Sequence, residues 1–306
     1  MSDIKLFDIR SGNAREISGE AARLERSLQT LMEQNLETLL GVRFLGSEYS
    51  TGAKHRGRID TLGIDENGCP VIIEYKRSTN ENVINQGLFY LDWLLDHRAE
   101  FKLLVIERLG QEAAEAIDWT TPRLLCIAGG FTRYDEHAVQ QMNRNIELIR
   151  YRYFGGELLL LELVNATTAT EAIVVEEPTG EPSGTKPTYR TISDVLDAIE
   201  GDLLDLYTEL RAYLQALGDD VQEKTLKYYV AFKRIKNFAC VEVYPSKKRL
   251  TVYLKLDPNS ITLEEGFTRN VREIGHLGTG DLEVGLHSRE DLERAKPLLQ
   301  ASYEAS

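Results

Sequence analysis

Apolar residues recur at 24, 28, 31, 32, 36, 39 and 40, a helical period that predicts one helix over 18–40, from a Ser18 cap to Gly41. Short strand-like runs follow at 42–49, 58–65 and 71–76, with Asn67-Gly68 between the last two. Asn-Gly between two apolar runs predicts a tight hairpin, because both residues tolerate positive φ. A second helix is expected from a cap at Ser78 or Asn80 to His97. After it the pattern predicts a strand at 101–107, a short helix at 111–117, a strand at 123–128, a helix at 134–142 and a closing hairpin, 146–153 with 158–164. This order predicts an α/β domain with a mixed central sheet flanked by helices. Further on, a helix is expected over 192–217 and a shorter one over 222–235. A hairpin, 238–244 with 250–256, then turns at Ser246-Lys247, before a strand at 282–286 and a last helix at 288–303. That half predicts a smaller α+β domain.

The 306 residues exceed what one hydrophobic core usually serves. The clearest break in composition lies at 165–188, where three of the eight prolines and four acids stand against a single base, Lys186. Such a stretch cannot bury enough apolar surface to order itself. The expected organisation is therefore a domain at 1–164, an acidic linker at 165–188 and a second domain at 189–306; the alternative within the linker is a capped edge strand at 172–175. The formal net charge of −13 disfavours indiscriminate binding to a polyanion but leaves room for a local basic groove. Three well-separated cysteines, Cys69, Cys126 and Cys240, argue against a disulfide framework or a zinc site and for a reducing cytoplasm. No apolar run reaches the length of a membrane span, and the first residues lack the apolar core of a secretory signal.

Candidate chemistry concentrates in Gly57-Arg58-Ile59-Asp60 and Val71-Ile72-Ile73-Glu74-Tyr75-Lys76. Alternation puts Glu74 and Lys76 on one side of their strand and Tyr75 on the other. Asp60 and Glu74 stand seven positions before and after the turn, so a tight hairpin sets them nearly opposite each other. Two carboxylates and an ammonium on strands this apolar are costly unless they bind something, and a hard divalent cation held by oxygen ligands is the simplest compensation. The plainer alternative is a cross-strand Asp60–Lys76 ion pair with Glu74 in solvent. On the next helix, Gln86 and Tyr90 share one side at i and i+4. A glutamine has no packing reason on an apolar stripe, and the helix should carry Gln86 back toward the charged cluster.

Together these residues resemble the PD-(D/E)XK nuclease superfamily: Asp60, thirteen intervening residues, Glu74-Tyr75-Lys76, then Gln86 and Tyr90 as Q-x-x-x-Y. The pattern is similar to the RecB-like branch, above all to the NucS-type endonucleases, over residues 20–110. Gly57-Arg58-Ile59 stands where the motif's name leads one to expect a proline. The resemblance implies a restriction-endonuclease-like fold and metal-dependent hydrolysis of DNA phosphodiester bonds, with RNA left open. Asp60, Glu74 and the backbone carbonyl of Tyr75 would hold Mg²⁺ or Mn²⁺. Lys76 would orient the attacking water, Gln86 would position the water shell or the DNA backbone, and a helical glutamate, Glu25 with Glu33 in reserve, would complete the site. The alternative is a non-catalytic nucleic-acid-binding or regulatory protein on the same scaffold. A homodimer is compatible with both, a membrane partner with neither.

Nucleic-acid contacts are expected from Lys54, Arg56 and Arg58 in the basic loop ahead of Asp60, with Tyr90 behind it. The other basic concentration is 224–255, where Lys233, Arg234, Lys236, Lys247, Lys248 and Arg249 alternate with aromatics and only Glu242 opposes them. It reads either as a strand-binding surface or as the outward side of a half-buried helix and hairpin. The second domain resembles an uncharacterised module appended to nucleases of this kind, which carries over no catalytic residue. Trp93 is expected in the core. His276 with Gly278-Thr279-Gly280 is weak evidence for an anion loop, and His137 and His287 have no partner at ligand spacing.

Overall fold

A computed structural model describes residues 4–22, 24–52, 56–77, 82–169 and 190–306. The chain divides into two compact units, Met1–Ile117 with Thr121–Ala172 and Asp118–Thr120 with Ile173–Ser306.

The first unit opens with strands β1 (Leu6–Asp8), β2 (Arg15–Ile17) and β3 (Gly19–Glu20), then helices α1 (Glu25–Gln34) and α2 (Leu36–Leu40). Strands β4 (Val42–Ser50), β5 (Arg58–Asp65) and β6 (Pro70–Lys76) follow, then helices α3 (Asn82–Asp96), α4 (Arg98–Leu109) and α5 (Gln111–Glu115). Strand β7 (Arg123–Ala128), helix α6 (Arg133–Gln140) and strands β8 (Asn145–Phe154) and β9 (Leu158–Ala166) complete it. The main sheet runs β3-β8-β7-β6-β5-β4, with β9 also paired to β8. Strands β4, β5 and β6 are antiparallel, whereas β6, β7 and β8 run parallel, so the sheet is mixed as expected. Every residue of β7 and all but the last of β6 are buried, as a sheet centre covered on both faces requires. Helices α1 and α3 both pack on β6.

Several boundaries differ from the sequence reading, each for a physical reason. The helix expected over 18–40 is two helices: Ser18 precedes the strand Gly19–Glu20, and Asn35 at φ −130° breaks the remainder. Gly41, left-handed at φ 64°, ends it where expected. The strand expected at 101–107 is part of helix α4. Its buried residues are Phe101 and Val105, one helical turn apart, while Leu103 is 65% exposed; alternation would have buried 103 with 101. The turn after β5 holds three residues rather than two, with Gly68 at φ 79° and its N–H bonded to the Asp65 carbonyl at 3.1 Å. Strand β9 continues to Ala166, and the Ala169 N–H still bonds the Asn145 Oδ1 at 3.2 Å, so order passes the expected boundary at 164. The caps at Ser78 and Asn80 and the edge strand at 172–175 lie outside the described residues.

The second unit comprises α7 (Ile192–Ala198), α8 (Asp202–Gln215), β10 (Gln222–Thr225), β11 (Val230–Lys233), β12 (Asn237–Tyr244), β13 (Arg249–Leu254), β14 (Thr268–Asn270), β15 (Leu282–Leu286) and α9 (Arg289–Glu304). Its sheet is antiparallel throughout, in the order β10-β11-β12-β13-β15-β14. The helix expected over 192–217 breaks at Gly201, φ 61° and ψ −141°, a conformation that glycine adopts readily. The helix expected over 222–235 is the β10–β11 hairpin: Val230 and Phe232 join the core while Ala231 and Lys233 take the opposite face, a period of two. One core joins alternate strand residues, among them Val241, Val252 and Val284, to Leu206, Leu210, Leu292 and Leu299 of the helices. The chain is thus a mixed α/β protein with a central mixed sheet and a separate sheet-rich C-terminal region. Among the described residues, no helix is long and apolar enough to cross a membrane. The three cysteines are buried and not joined in disulfides.

Candidate active site

The β5–β6 ladder ends at the pair Thr61–Ile73, so continuing its register by one step sets Asp60 against Glu74. In place of a backbone pair, side chains and amides cross there. The Asp60 N–H donates to the Glu74 Oε1 at 3.2 Å, and the Tyr75 N–H donates to the Asp60 Oδ2 at 3.0 Å. Glu74 is completely buried, and its Oε2 has no hydrogen-bond partner. Burial, reinforced by the charge of Asp60, pushes the Glu74 carboxyl up to about 9. Asp60 is raised as well, by burial first, against the opposing pull of the Tyr75 N–H and the Lys76 charge.

Lys76 lies two residues along β6 from Glu74, hence on the same face. Its Nζ stands 3.3 Å from the Glu25 Oε1, and the Glu25 Oε2 accepts the Arg77 N–H at 3.1 Å. Glu25, the first residue of α1, thus tethers the helix to the end of β6. Glu33, two turns further on, accepts from the Thr61 hydroxyl at 2.6 Å and from Gln29 at 3.0 Å. Gln29 was not singled out by the sequence reading. Its Nε2 also bonds the Asp60 carbonyl at 2.8 Å and the Ser47 Oγ at 3.3 Å, so the helix holds the backbone of the residue that carries the first carboxylate. The signal was available: Glu25, Gln29 and Glu33 form a polar stripe at four-residue spacing beside the buried Leu28 and Met32.

Tyr90 is buried, and its hydroxyl accepts the Arg58 N–H at 3.1 Å and the Gln86 Nε2 at 3.2 Å. The Q-x-x-x-Y pair therefore latches the first residue of β5 to helix α3. Gly57 makes the latch fit, since a Cβ there would lie 2.5 Å from the Tyr90 Cε1. Arg58 is exposed and ion-paired with Glu48. Arg56 is exposed at φ 49°, and Lys54 falls outside the described residues.

The oxygen set fits a hard cation in kind. Two carboxylates share one strand end, one of them with an orphaned buried oxygen. The Tyr75 carbonyl faces the same edge as its N–H, toward Asp60. Among the described residues, no three His, Cys, Asp or Glu side chains gather as a metal-binding group, and Glu25 is engaged by Lys76 and Arg77. A cation here would complete its shell with water or substrate oxygens.

The basic residues of the second unit are distributed differently from their sequence pattern. Lys233 is 1% exposed and so is withdrawn from any surface strand. Arg234 bonds Asp220 at 2.6 Å, and Arg249 bonds Glu283 at 2.7 Å. Lys236 is half-buried, while Lys247 and Lys248 are exposed on the β12–β13 turn. Counting along the segment finds only Glu242 in opposition; the fold supplies Asp220 and Glu283 from outside it. Trp93 is buried, with its ring stacked on His97 at 4.7 Å, as the core reading expects. His276 stacks on Tyr253 at 4.4 Å, and His137 and His287 are exposed.

The profile of a domain of unknown function, DUF5655, matches residues 192–306. An uncharacterised protein of Haemophilus influenzae is 28% identical over 303 residues, spanning 97% of this chain and 98% of its own. Among solved structures, a repair endonuclease from Pyrococcus abyssi is similar at 17% identity and a TM-score of 0.28, over 44% of this chain and 50% of that one. An EndoMS–dsDNA complex matches at 17% identity and a TM-score of 0.26, over 44% of this chain and 47% of that one. The chain thus spans about half the length of these two structural neighbours.

Proposed function

We propose that this chain is a metal-dependent nuclease hydrolysing DNA phosphodiester bonds, with its catalytic residues in 1–164 and a substrate- or partner-binding domain at 189–306. The observation that supports this most directly is the crossed Asp60–Glu74 pair, whose buried Glu74 oxygen lacks a partner. Asp60, Glu74 and the Tyr75 carbonyl would hold Mg²⁺ or Mn²⁺, which when bound lowers the pKa of water and neutralises phosphate charge. The protein's own part is positioning. The Tyr75 amide orients the Asp60 carboxylate, the Asp60 amide orients Glu74, and Gln29 holds the Asp60 carbonyl. Lys76, held by Glu25, supplies a cation beside the reacting phosphate and orients the water. Gln86 acts indirectly, through Tyr90 and the start of β5.

Cleavage of supercoiled plasmid with Mg²⁺ or Mn²⁺ tests this reading. Asp60→Ala and Lys76→Met should each lower the rate by roughly 10²-fold or more. Equal rates in all three proteins, or none in the wild type on several DNA forms, would overturn it. A second reading, a binding or regulatory protein on this scaffold, draws support from Glu25 and Lys76 satisfying each other. It predicts DNA binding with no divalent-ion dependence.

A further inference from the structure

The helices of the second unit cover one face of its sheet, and the other face carries a cavity of about 320 Å³ lined by Tyr244, Lys247, Arg249, Tyr253, Arg269 and Glu283, among others. Alternation explains the lining. Leu250, Val252 and Leu254 of β13 face the helices, so Arg249 and Tyr253 take the open side, and Glu283 lies on that side of the neighbouring β15. The Arg249 guanidinium lies over Gly285, where a Cβ would stand 3.1 Å from its Nε. Arg249 and Arg269 are bridged by one carboxylate, Glu283, at 2.7 and 2.6 Å. The Arg249 Nε is buried and has no hydrogen-bond partner. Lys247 adds a third cation, 5.5 Å from the Tyr244 ring. The ring of Tyr253 is braced from behind by His276 and that of Tyr244 by its hydroxyl bond to Glu242.

Three cations against one lining carboxylate, in a chain of net charge −13, call for an anion. Both oxygens of Glu283 already serve one arginine each, so a further ligand must offer several acceptors to donors arriving from different strands. A phosphate does this, and arginine pairs with it in fork geometry. The tyrosine walls add a surface on which a planar base stacks, and the volume falls at the lower end of small-ligand sites. We propose that this pocket binds the phosphate of a nucleotide, either a free mononucleotide or the phosphorylated end of a strand. The assignment does not depend on the nuclease reading.

Calorimetric titration of the full chain with EDTA present tests it, using deoxyadenosine monophosphate, deoxyadenosine, inorganic phosphate and a short 5′-phosphorylated single strand. The monophosphate should bind, and deoxyadenosine should not. Arg269→Met, at an exposed side chain, and Arg249→Met should each weaken binding by roughly tenfold or more. Thermal melting checks the fold, and Lys247→Met with Arg269→Met carries the test if Arg249→Met fails to fold. Asp60→Ala should bind as the wild type does, which separates this result from that of the cleavage assay. A phosphorylated strand weakened by the same variants identifies the strand end; response of the monophosphate alone identifies a free nucleotide. The proposal is overturned by indifference to the arginine variants, by equal binding of deoxyadenosine, or by inorganic phosphate binding as tightly as the nucleotide.

Discussion

The backbone amide of Asp60 donates to the carboxylate of Glu74 at 3.2 Å, one step beyond the last backbone pair of their hairpin. The reciprocal bond, from the Tyr75 amide to Asp60, anchors each acid on the opposite strand and leaves the Glu74 Oε2 without a partner. An unsatisfied buried oxygen costs about 1–3 kcal/mol. A fold that places two acids in this way gives up stability at a point where sheet hydrogen bonding would otherwise have continued. Such local violations are expected at functional sites.

Stability of the metal-free chain should therefore fall as pH rises. Unfolded Glu74 titrates near its ordinary 4.5, whereas in the fold it titrates at about 9. Between those values the folded chain retains a proton that the unfolded chain releases, so stability is greatest below the lower value and declines toward the upper one. Urea midpoints measured in EDTA should drop across this window, and Glu74→Gln should flatten the decline. Mg²⁺ added at the alkaline end should restore stability to the wild type and not to the variant. Parallel pH profiles for the two proteins would show that Glu74 is not the group responsible.

Gln29→Leu should loosen the site without touching a carboxylate. It removes the donor to the Asp60 carbonyl and leaves Glu33 with one partner fewer. A loss of about 1–3 kcal/mol is expected in urea unfolding. The cleavage rate should fall with a weakened dependence on metal concentration, an effect that a purely structural role would not produce. Gln29→Glu should fare no better, because it sets a second acid beside Glu33.

Much of this site was legible because a hairpin's register follows from its turn. Counting seven residues either side of Asn67 pairs Asp60 with Glu74, and the three-residue turn centred there keeps the count intact. What could not be read was the other half of each interaction. Gln86 was expected at the carboxylates, but its amide bonds Tyr90, since a helix period fixes a face and not the partner across it. Lys233 looked like a surface cation because charge runs say nothing about which strand face points inward. The apolar run at 101–107 misled for a related reason: short apolar segments fit either period until burial separates Phe101 and Val105 from Leu103.

The latch at the start of β5 predicts a graded series. Gly57→Ala would force a Cβ to within 2.5 Å of the Tyr90 Cε1 and should cost about 1–3 kcal/mol. Tyr90→Phe removes the acceptor of the Arg58 amide at about 1 kcal/mol and should speed hydrogen exchange at that amide. Gln86→Ala leaves that acceptor in place and should have the smallest effect of the three. A larger cost for Gln86→Ala than for Tyr90→Phe would show that Gln86 has a partner other than Tyr90.

Arg123 makes the strongest stability prediction in the first unit. Its guanidinium is buried between Asp65 at 2.7 Å and Glu147 at 2.8 and 2.9 Å. Arg123→Met would leave two buried acids facing each other without their shared cation, and removing one partner of a buried pair typically costs 3–5 kcal/mol. The two acids differ, however. Asp65 also accepts the amides of Asn67 and Cys69, each at 2.9 Å, so it keeps donors of its own when the arginine is lost. Combining Arg123→Met with Glu147→Leu should recover at least about 1 kcal/mol relative to the single variant, because it removes one of the two buried acids left facing each other. Combining Arg123→Met with Asp65→Leu should recover nothing, since the turn amides would lose their acceptor. Urea unfolding of the three proteins distinguishes these cases, and strictly additive losses would mean that the ion cluster is not coupled in this way.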